Sequence, residues 1–192
     1  MSKRGHKPKP LYEPCAGGGV HLRVPAWADF EYWMELRRAN REYLQPWEPS
    51  WKQAHLSRQA YKARLEQFKT LIAKDEAYPF HVFRSDNAHH LVGACNLTSV
   101  KRGPLQSAHI GYWIGHEHAR QGYARAALRA VTRFAFDDLG LHRLTAAVQE
   151  NNHASVKLLE GTGFALEGKA RSYLKVDGRW QDHLIYGRLA TD

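Results

Sequence analysis

The sequence predicts an α+β fold: a mixed, mostly antiparallel central sheet flanked by helices, with one parallel strand pair at its centre. Three observations predict it. Three strand-like runs, "YPFHVFR", "HLVGACNLTSV" and "SAHIGYWIG", follow one another across the turn-like segments "SDNAHH" and "KRGPLQ", as an antiparallel meander does. The hydrophobic period then changes: in "YARAALRAVTRFAFDDLG" Ala124, Leu128, Val131, Ala135 and Leu139 recur at spacings of three and four. That helix lies between two strand runs, and a strand-helix-strand crossover makes its strands parallel neighbours. Finally, 192 residues with 43% hydrophobic and 24% charged side chains are enough for one compact core and short for two.

Residues 1–18, with Lys3, Arg4, Lys7 and Lys9, read as a basic, flexible tail, and a single domain is expected over 19–192. The glycines Gly17, Gly18 and Gly19 mark the break, and Val20, Leu22 and Val24 then alternate with polar residues as a half-buried strand. "WADFEYWMELRRANREYL" is a first helix, ending before the proline loop "QPWEPSW"; a second helix covers roughly 54–73. After the meander and the alanine-rich helix, Gly140 stops the helical run and "HRLTAAVQ" is a strand. A short helix in "NHASVKLLEGTG" follows, then a hairpin of "FALEGKARSYLKV" and "RWQDHLIYGRL" around the turn Asp177-Gly178. The order is β-α-α-β-β-β-α-β-α-β-β.

No stretch is long and apolar enough for a membrane span or a secretory signal, so a soluble, cytoplasmic protein is expected. Cys15 and Cys95 are far apart, which gives neither a disulfide framework nor a cysteine metal site. His89-His90 and His116-x-His118 have no carboxylate or cysteine at ligand spacing, and no metal is expected. The net charge of +9 favours an anionic partner, whether a phosphorylated cofactor, nucleic acid or an acidic protein surface.

The segment "IGHEHARQGYAR" is the most informative. A strand runs through a basic loop directly into a helix, whose first N–H groups are unpaired and carry partial positive charge. Such a terminus binds anions, pyrophosphate above all; Gly122 lets backbone approach closely, and Arg120 and Arg125 add formal charge. A glycine that merely shapes the turn is the competing reading.

The ordered set "GYWIG", "ARQGYARAALRAV", "HRLTAAV" and "NNHASVKLLEGTGF" resembles the GNAT (acyl-CoA N-acyltransferase) family, over most of residues 19–188. Within it, "LQPWEPSW" and "EGKARSYLKVDGRWQDHLIYG" look like the RimJ/RimL branch, whose members acetylate N-terminal amines of ribosomal proteins. The resemblance implies acetyl-CoA as donor, held with its diphosphate across Arg120, Gln121, Gly122, Tyr123, Ala124 and Arg125 and its pantetheine arm in a splay between strands, against the backbone of Trp113 and Ile114. One departure stands in the loop, where Ala119 replaces the usual Gln or Arg three residues before the central glycine.

Asn152 and Ser155 open the next helix, and either can be its N-cap; the resemblance makes Asn152 a contact to the cofactor's pantetheine or to substrate, and Ser155 the acid that protonates the thiolate. His109 stands where many relatives carry Glu and is the candidate base, or simply an exposed strand histidine. The branch also places an acid immediately before "YL"; here it is Ser172, followed by Tyr173, both expected against the substrate. Glu48 is the nearest replacement as anchor or base, with Glu167 the weaker option. Trp47 and Trp51, beside Glu48, either line a substrate pocket or cap the core. Arg125, Arg129 and Arg133 make a basic stripe compatible with ribosome association.

The expected activity is acetyl transfer to a primary amine, in the first place the N-terminal α-amine of a ribosomal protein. A small-amine acceptor and a non-catalytic ribosome- or RNA-binding module are the alternatives. The sequence is equally compatible with a monomer and a homodimer.

Overall fold

The structure, a computed structural model, describes residues 8–50 and 52–192. Lys3, Arg4, Lys7 and Trp51, singled out above, lie outside the described residues. The helices are α1 (Phe30–Ala39), the one-turn α2 (Arg41–Leu44), α3 (Arg58–Ala73), α4 (Tyr123–Arg133) and α5 (His153–Glu160). The strands are β1 (Leu11–Glu13), β2 (Val20–Arg23), β3 (Tyr78–Arg84), β4 (Asn87–Lys101), β5 (Ser107–Ile114), β6 (Arg143–Val148), β7 (Ala165–Val176) and β8 (Arg179–Leu189). They form one sheet in the order β1-β2-β3-β4-β5-β6-β8-β7, in which β5 and β6 are parallel and every other described pair is antiparallel. The crossover through α4 thus produces the expected parallel pair within a mostly antiparallel sheet.

Alternation along the strands divides the sheet into two faces. Ala108 and Ile110 of β5 and Leu144, Ala146 and Val148 of β6 enter the large core with Leu128 and Val131 of α4. Alanines at 126, 127 and 130 let that helix seat closely on the sheet. The opposite face carries Phe83, Leu91 and Trp113 against Phe30, Trp33 and Leu36 of α1 and Tyr61 of α3. β3 is buried along nearly its whole length because helices cover both faces there.

Between β2, α1 and β3 sits a buried carboxylate. Asp29 accepts from both terminal nitrogens of Arg23 at 2.9 and 2.6 Å and from Ala26 N at 2.8 Å, with His81 Nδ1 at 3.3 Å. Burial alone would raise its pKa; the hydrogen bonds from His81, Arg23 and Ala26 outweigh that and hold it down to about 2.

Three expectations are corrected. Residues 11–18 are not a loose tail: β1 pairs antiparallel with β2 in the register Leu11↔Leu22, Tyr12↔His21 and Glu13↔Val20, and the sheet begins eight residues before position 19. The first helix is broken at Asn40, whose Nδ2 donates to Leu36 O at 3.0 Å, a side-chain bond that competes with continued helix. The second helix starts late, because Ser57 Oγ caps it by accepting from Ala60 N, while Gln53–Leu56 form a tighter turn.

Candidate active site

The parallel pair is short. Ser107, Ala108 and His109 align with Arg143, Leu144 and Thr145, and there the pairing stops. β5 continues along β4 as far as Ile114 opposite Gly93, while β6 continues along β8 as far as Val148 opposite Leu184. Gly93 helps draw β5 outward, since a side chain there would collide with Trp113 O. The strands therefore part into a wedge with the edges of 110–114 and 146–148 facing each other, and strand edges carry N–H and C=O groups that a ligand can take up.

The loop leaving β5 reaches α4 at the open end of this wedge. Buried Asn40 organises its beginning: Oδ1 accepts from His116 N at 2.7 Å and Nδ2 donates to Glu117 Oε2 at 3.1 Å. Arg120 and Gly122 both have left-handed backbone, φ 61° and 87°. Gly122 is the N-cap of α4 and supplies no side-chain cap, so the first-turn N–H groups keep their partial positive charge for a ligand. Arg120 is exposed beside them.

Other predicted cofactor contacts divide. Gln121 turns its Nε2 back to Glu117 O at 3.1 Å. Tyr123 is buried, its hydroxyl donating to Gly17 O at 2.9 Å, so its side chain anchors the loop to the N-terminal segment. Ala124 is half-buried in the first turn. Arg125 Nη1 donates to Gly161 O at 2.7 Å, and Arg133 is tied to Glu13, so two members of the basic stripe are already engaged.

On the far side of the wedge, Asn152 Oδ1 accepts from Ser155 N at 3.2 Å, which makes Asn152 the cap of α5, so that the Ser155 hydroxyl is not spent on capping. That hydroxyl lies 2.6 Å from Tyr112 Oη, joining α5 to β5 across the parted strands. Burial pushes the Tyr112 pKa up, although the Ser155 contact acts in the opposite direction. Sequence reading passed over Tyr112; its signal was its even position on β5, on the α4 face shared with Ile110.

His109 occupies the other face, exposed at the last paired position, with Nδ1 2.9 Å from Thr145 Oγ1. Gly111, two residues on, has nothing within 4 Å of where a Cβ would stand, so the sheet is open beside His109. Trp113 continues this face, its ring 5.1 Å from the Arg37 guanidinium carbon.

Glu48 is corrected. Arg37 clamps both carboxylate oxygens, at 2.9 and 2.5 Å, and Glu48 O accepts from Asp177 N at 3.2 Å. It fastens the loop to α1 and to the β7–β8 turn, and is a poor choice for a free base. Gln45 Nε2 to Asp177 Oδ1 and Gln149 Nε2 to Pro46 O, both 2.8 Å, complete this attachment. Trp47 stands half-exposed beside it. Opposite, β7 bulges between Ala170 and Leu174; Ser172 adopts φ 47° and its N–H donates to Asp182 Oδ1 at 2.9 Å. The bulge sets the Tyr173 ring 5.8 Å from that of buried His183. Glu167 is paired with Arg143 at the other end of β7.

Residues 20–165 match the family described as Acetyltransferase (GNAT) domain. The chain is 32% identical to the ribosomal protein uS5-alanine N-acetyltransferase of Escherichia coli, over 90% of this chain and 86% of that one. Among solved structures it is similar to Mycobacterium smegmatis RimJ in complex with CoA-disulfide, with TM-score 0.87 and 31% identity over 95% of this chain and 87% of the other. It is also similar to ribosomal-protein-S5-alanine acetyltransferase from Vibrio fischeri, with TM-score 0.84 and 29% identity over 90% and 94%. Among the described residues no helix is long and apolar enough to cross a membrane.

Proposed function

Because the chain belongs to the GNAT acetyltransferase family, we propose that it transfers an acetyl group from acetyl-CoA to the α-amine of a protein N-terminus, with a ribosomal protein as acceptor. The observation that carries this reading is the wedge: β5 and β6 part directly after His109 and Thr145, and the uncapped start of α4 stands at the open end. The relatives named for ribosomal protein alanine acetylation, and a relative bound to a CoA-disulfide, support the choice of acceptor and donor.

Acetyl-CoA supplies an acetyl group already activated as a thioester. The first-turn N–H groups of α4 and the Arg120 guanidinium would hold the diphosphate. The free edges of 110–114 and 146–148 would take the pantetheine arm as a strand takes a neighbour, and a backbone N–H near Trp113 or Ile114 would oppose charge developing on the carbonyl oxygen.

The two faces of β5 then separate the proton chemistry. His109 lies on the face open to an acceptor. Thr145 Oγ1 is 3.4 Å from Ala108 O; with the hydroxyl hydrogen directed there, His109 Nδ1 donates to Thr145 and Nε2 keeps its lone pair for the amine proton, taken directly or through water. An α-amine, with an ordinary pKa of about 7.7–8.0 against about 10.4 for lysine, needs little help in losing that proton. Ser155, on the opposite face, gives its proton to the departing thiolate, and Tyr112, kept protonated by burial, donates to Ser155 Oγ and so aims the serine hydrogen at the wedge.

Calorimetry with acetyl-CoA, followed by thiol release across N-terminal peptides and small amines, tests the reading. Cofactor binding with turnover of ribosomal-protein N-terminal peptides is expected; turnover confined to small amines, or an absence of cofactor binding, rejects it.

A further inference from the structure

Residues 12–19 run across the outer side of the loop that leads into α4. The segment is fastened at both ends. At one, the Arg133 guanidinium on α4 reaches Tyr12 O at 3.2 Å and Glu13 Oε2 at 2.8 Å. At the other, Ser85 N donates to Gly19 O at 3.1 Å and Ser85 Oγ to Gly18 O at 2.8 Å, on the β3–β4 turn. Between them the chain folds tightly, Gly18 N donating to Cys15 O at 3.0 Å.

The middle of the segment meets the loop reciprocally. Gly17 N donates to Gln121 O at 3.0 Å, and Tyr123 Oη donates back to Gly17 O at 2.9 Å. The fit is close: a Cβ on Gly17 would stand 2.7 Å from the Tyr123 ring, and one on Gly122 would stand 3.1 Å from Cys15 Cβ. Peptide geometry gives this contact a consequence. In a trans peptide the carbonyl and the following N–H point in opposite directions. Holding Gln121 O against Gly17 therefore turns the Gly122 N–H away from the segment, toward the side on which an anion can meet it.

We propose that residues 15–19 are a strap that fixes the anion-binding geometry of loop 120–123, so that affinity for a diphosphate-bearing ligand is set in part by the N-terminal segment. The proposal rests on the reading that this loop holds the diphosphate of coenzyme A. Gly17, Cys15 and Tyr123 are positioning residues, acting through the peptide of Gln121 and Gly122.

Calorimetric titration of coenzyme A into the full chain and into Gly17→Ala and Tyr123→Phe tests it. Tyr123→Phe removes one hydrogen bond to the segment, and Gly17→Ala drives a Cβ into the Tyr123 ring and pushes segment and loop apart; the expected weakening is about fivefold or more for Gly17→Ala and about threefold for Tyr123→Phe. KM for acetyl-CoA rises in parallel while kcat at saturation holds, and amide hydrogen exchange quickens at 120–123. Tyr123→Phe keeps the buried ring, so a Gly17→Ala chain that fails to fold leaves the test standing. Wild-type binding with both variants unaffected overturns the strap alone; no binding by the wild type overturns the strap and the diphosphate reading together.

Discussion

At the α4 end of the wedge the polar groups are backbone N–H donors fixed by local dihedrals, whereas at the β7–β8 end they are side chains held by partners distant in sequence. The first end has Gly122 at φ 87° and an uncapped helix start. The second has Glu48 fastened to Arg37 and Asp177, and Tyr173 beside His183 on a bulged strand. A backbone site tolerates exchange of its side chains and fails when its dihedrals change. A side-chain site keeps its frame and loses a particular contact.

The largest effect is therefore expected at Gly122. A β-branched residue there must adopt a left-handed backbone, at a cost of about 1–3 kcal/mol, and its Cβ presses on Cys15. Gly122→Val is expected to weaken coenzyme A binding by about a hundredfold or more in calorimetry, the strain and the displaced N–H acting together. Near-normal binding would show that the loop amides are not what holds the ligand.

That end was legible because its signals are local. A glycine before an alanine-rich helix, a period change from two to three and four, and Asn152 three residues before Ser155 are all contained in short windows. The Tyr112–Ser155 contact spans 43 residues and the Tyr123–Gly17 contact 106, and neither leaves a pattern in sequence. The ordered N-terminal segment is hidden in the sequence for a physical reason: β1 is three residues long, too short for alternation to register, and its glycine- and proline-rich surroundings have the composition of a linker. Glu48 stands out in sequence as a carboxylate between two tryptophans, while its partner Arg37, on α1, could be found only in three dimensions.

Ser155 and Tyr112 join the two ends, and they sharpen the comparison next. Ser155→Ala is expected to lower kcat about a hundredfold with KM for acetyl-CoA nearly unchanged, in the range for a lost proton donor. Tyr112→Phe should lower kcat about tenfold by releasing the serine hydroxyl, and the double variant should be no slower than Ser155→Ala, because Tyr112 acts through Ser155. Additive losses in steady-state kinetics would separate the two residues.

Asp29 supports the helical layer on the sheet face that carries His109 and Trp113. Its pKa is depressed from the ordinary 3.8 to about 2, so the stability it contributes is present above about pH 4 and is lost as pH falls through about 2. The difference corresponds to about 2 kcal/mol. Denaturant titrations should show the wild type losing that stability over this window, and Asp29→Asn lacking it already at neutral pH. Coenzyme A affinity of the folded variant should remain, since Asp29 is tied to β2, α1 and β3 and not to the α4 loop.

Glu48 gives the smallest effect, and the most discriminating. As the acceptor's base its replacement by Gln would lower kcat by about a hundredfold or more at unchanged stability. The bidentate contact with Arg37 leads to the opposite expectation. Gln retains one hydrogen bond and loses the charge, so Glu48→Gln should cost about 1 kcal/mol in denaturant unfolding. Its kcat should stay within about threefold, and KM for a peptide acceptor should rise as the loop carrying Trp47 loosens from the β7–β8 turn. Stability and peptide KM moving together, with kcat held, places Glu48 in the frame of the acceptor end, and a collapse of kcat alone returns it to the chemistry.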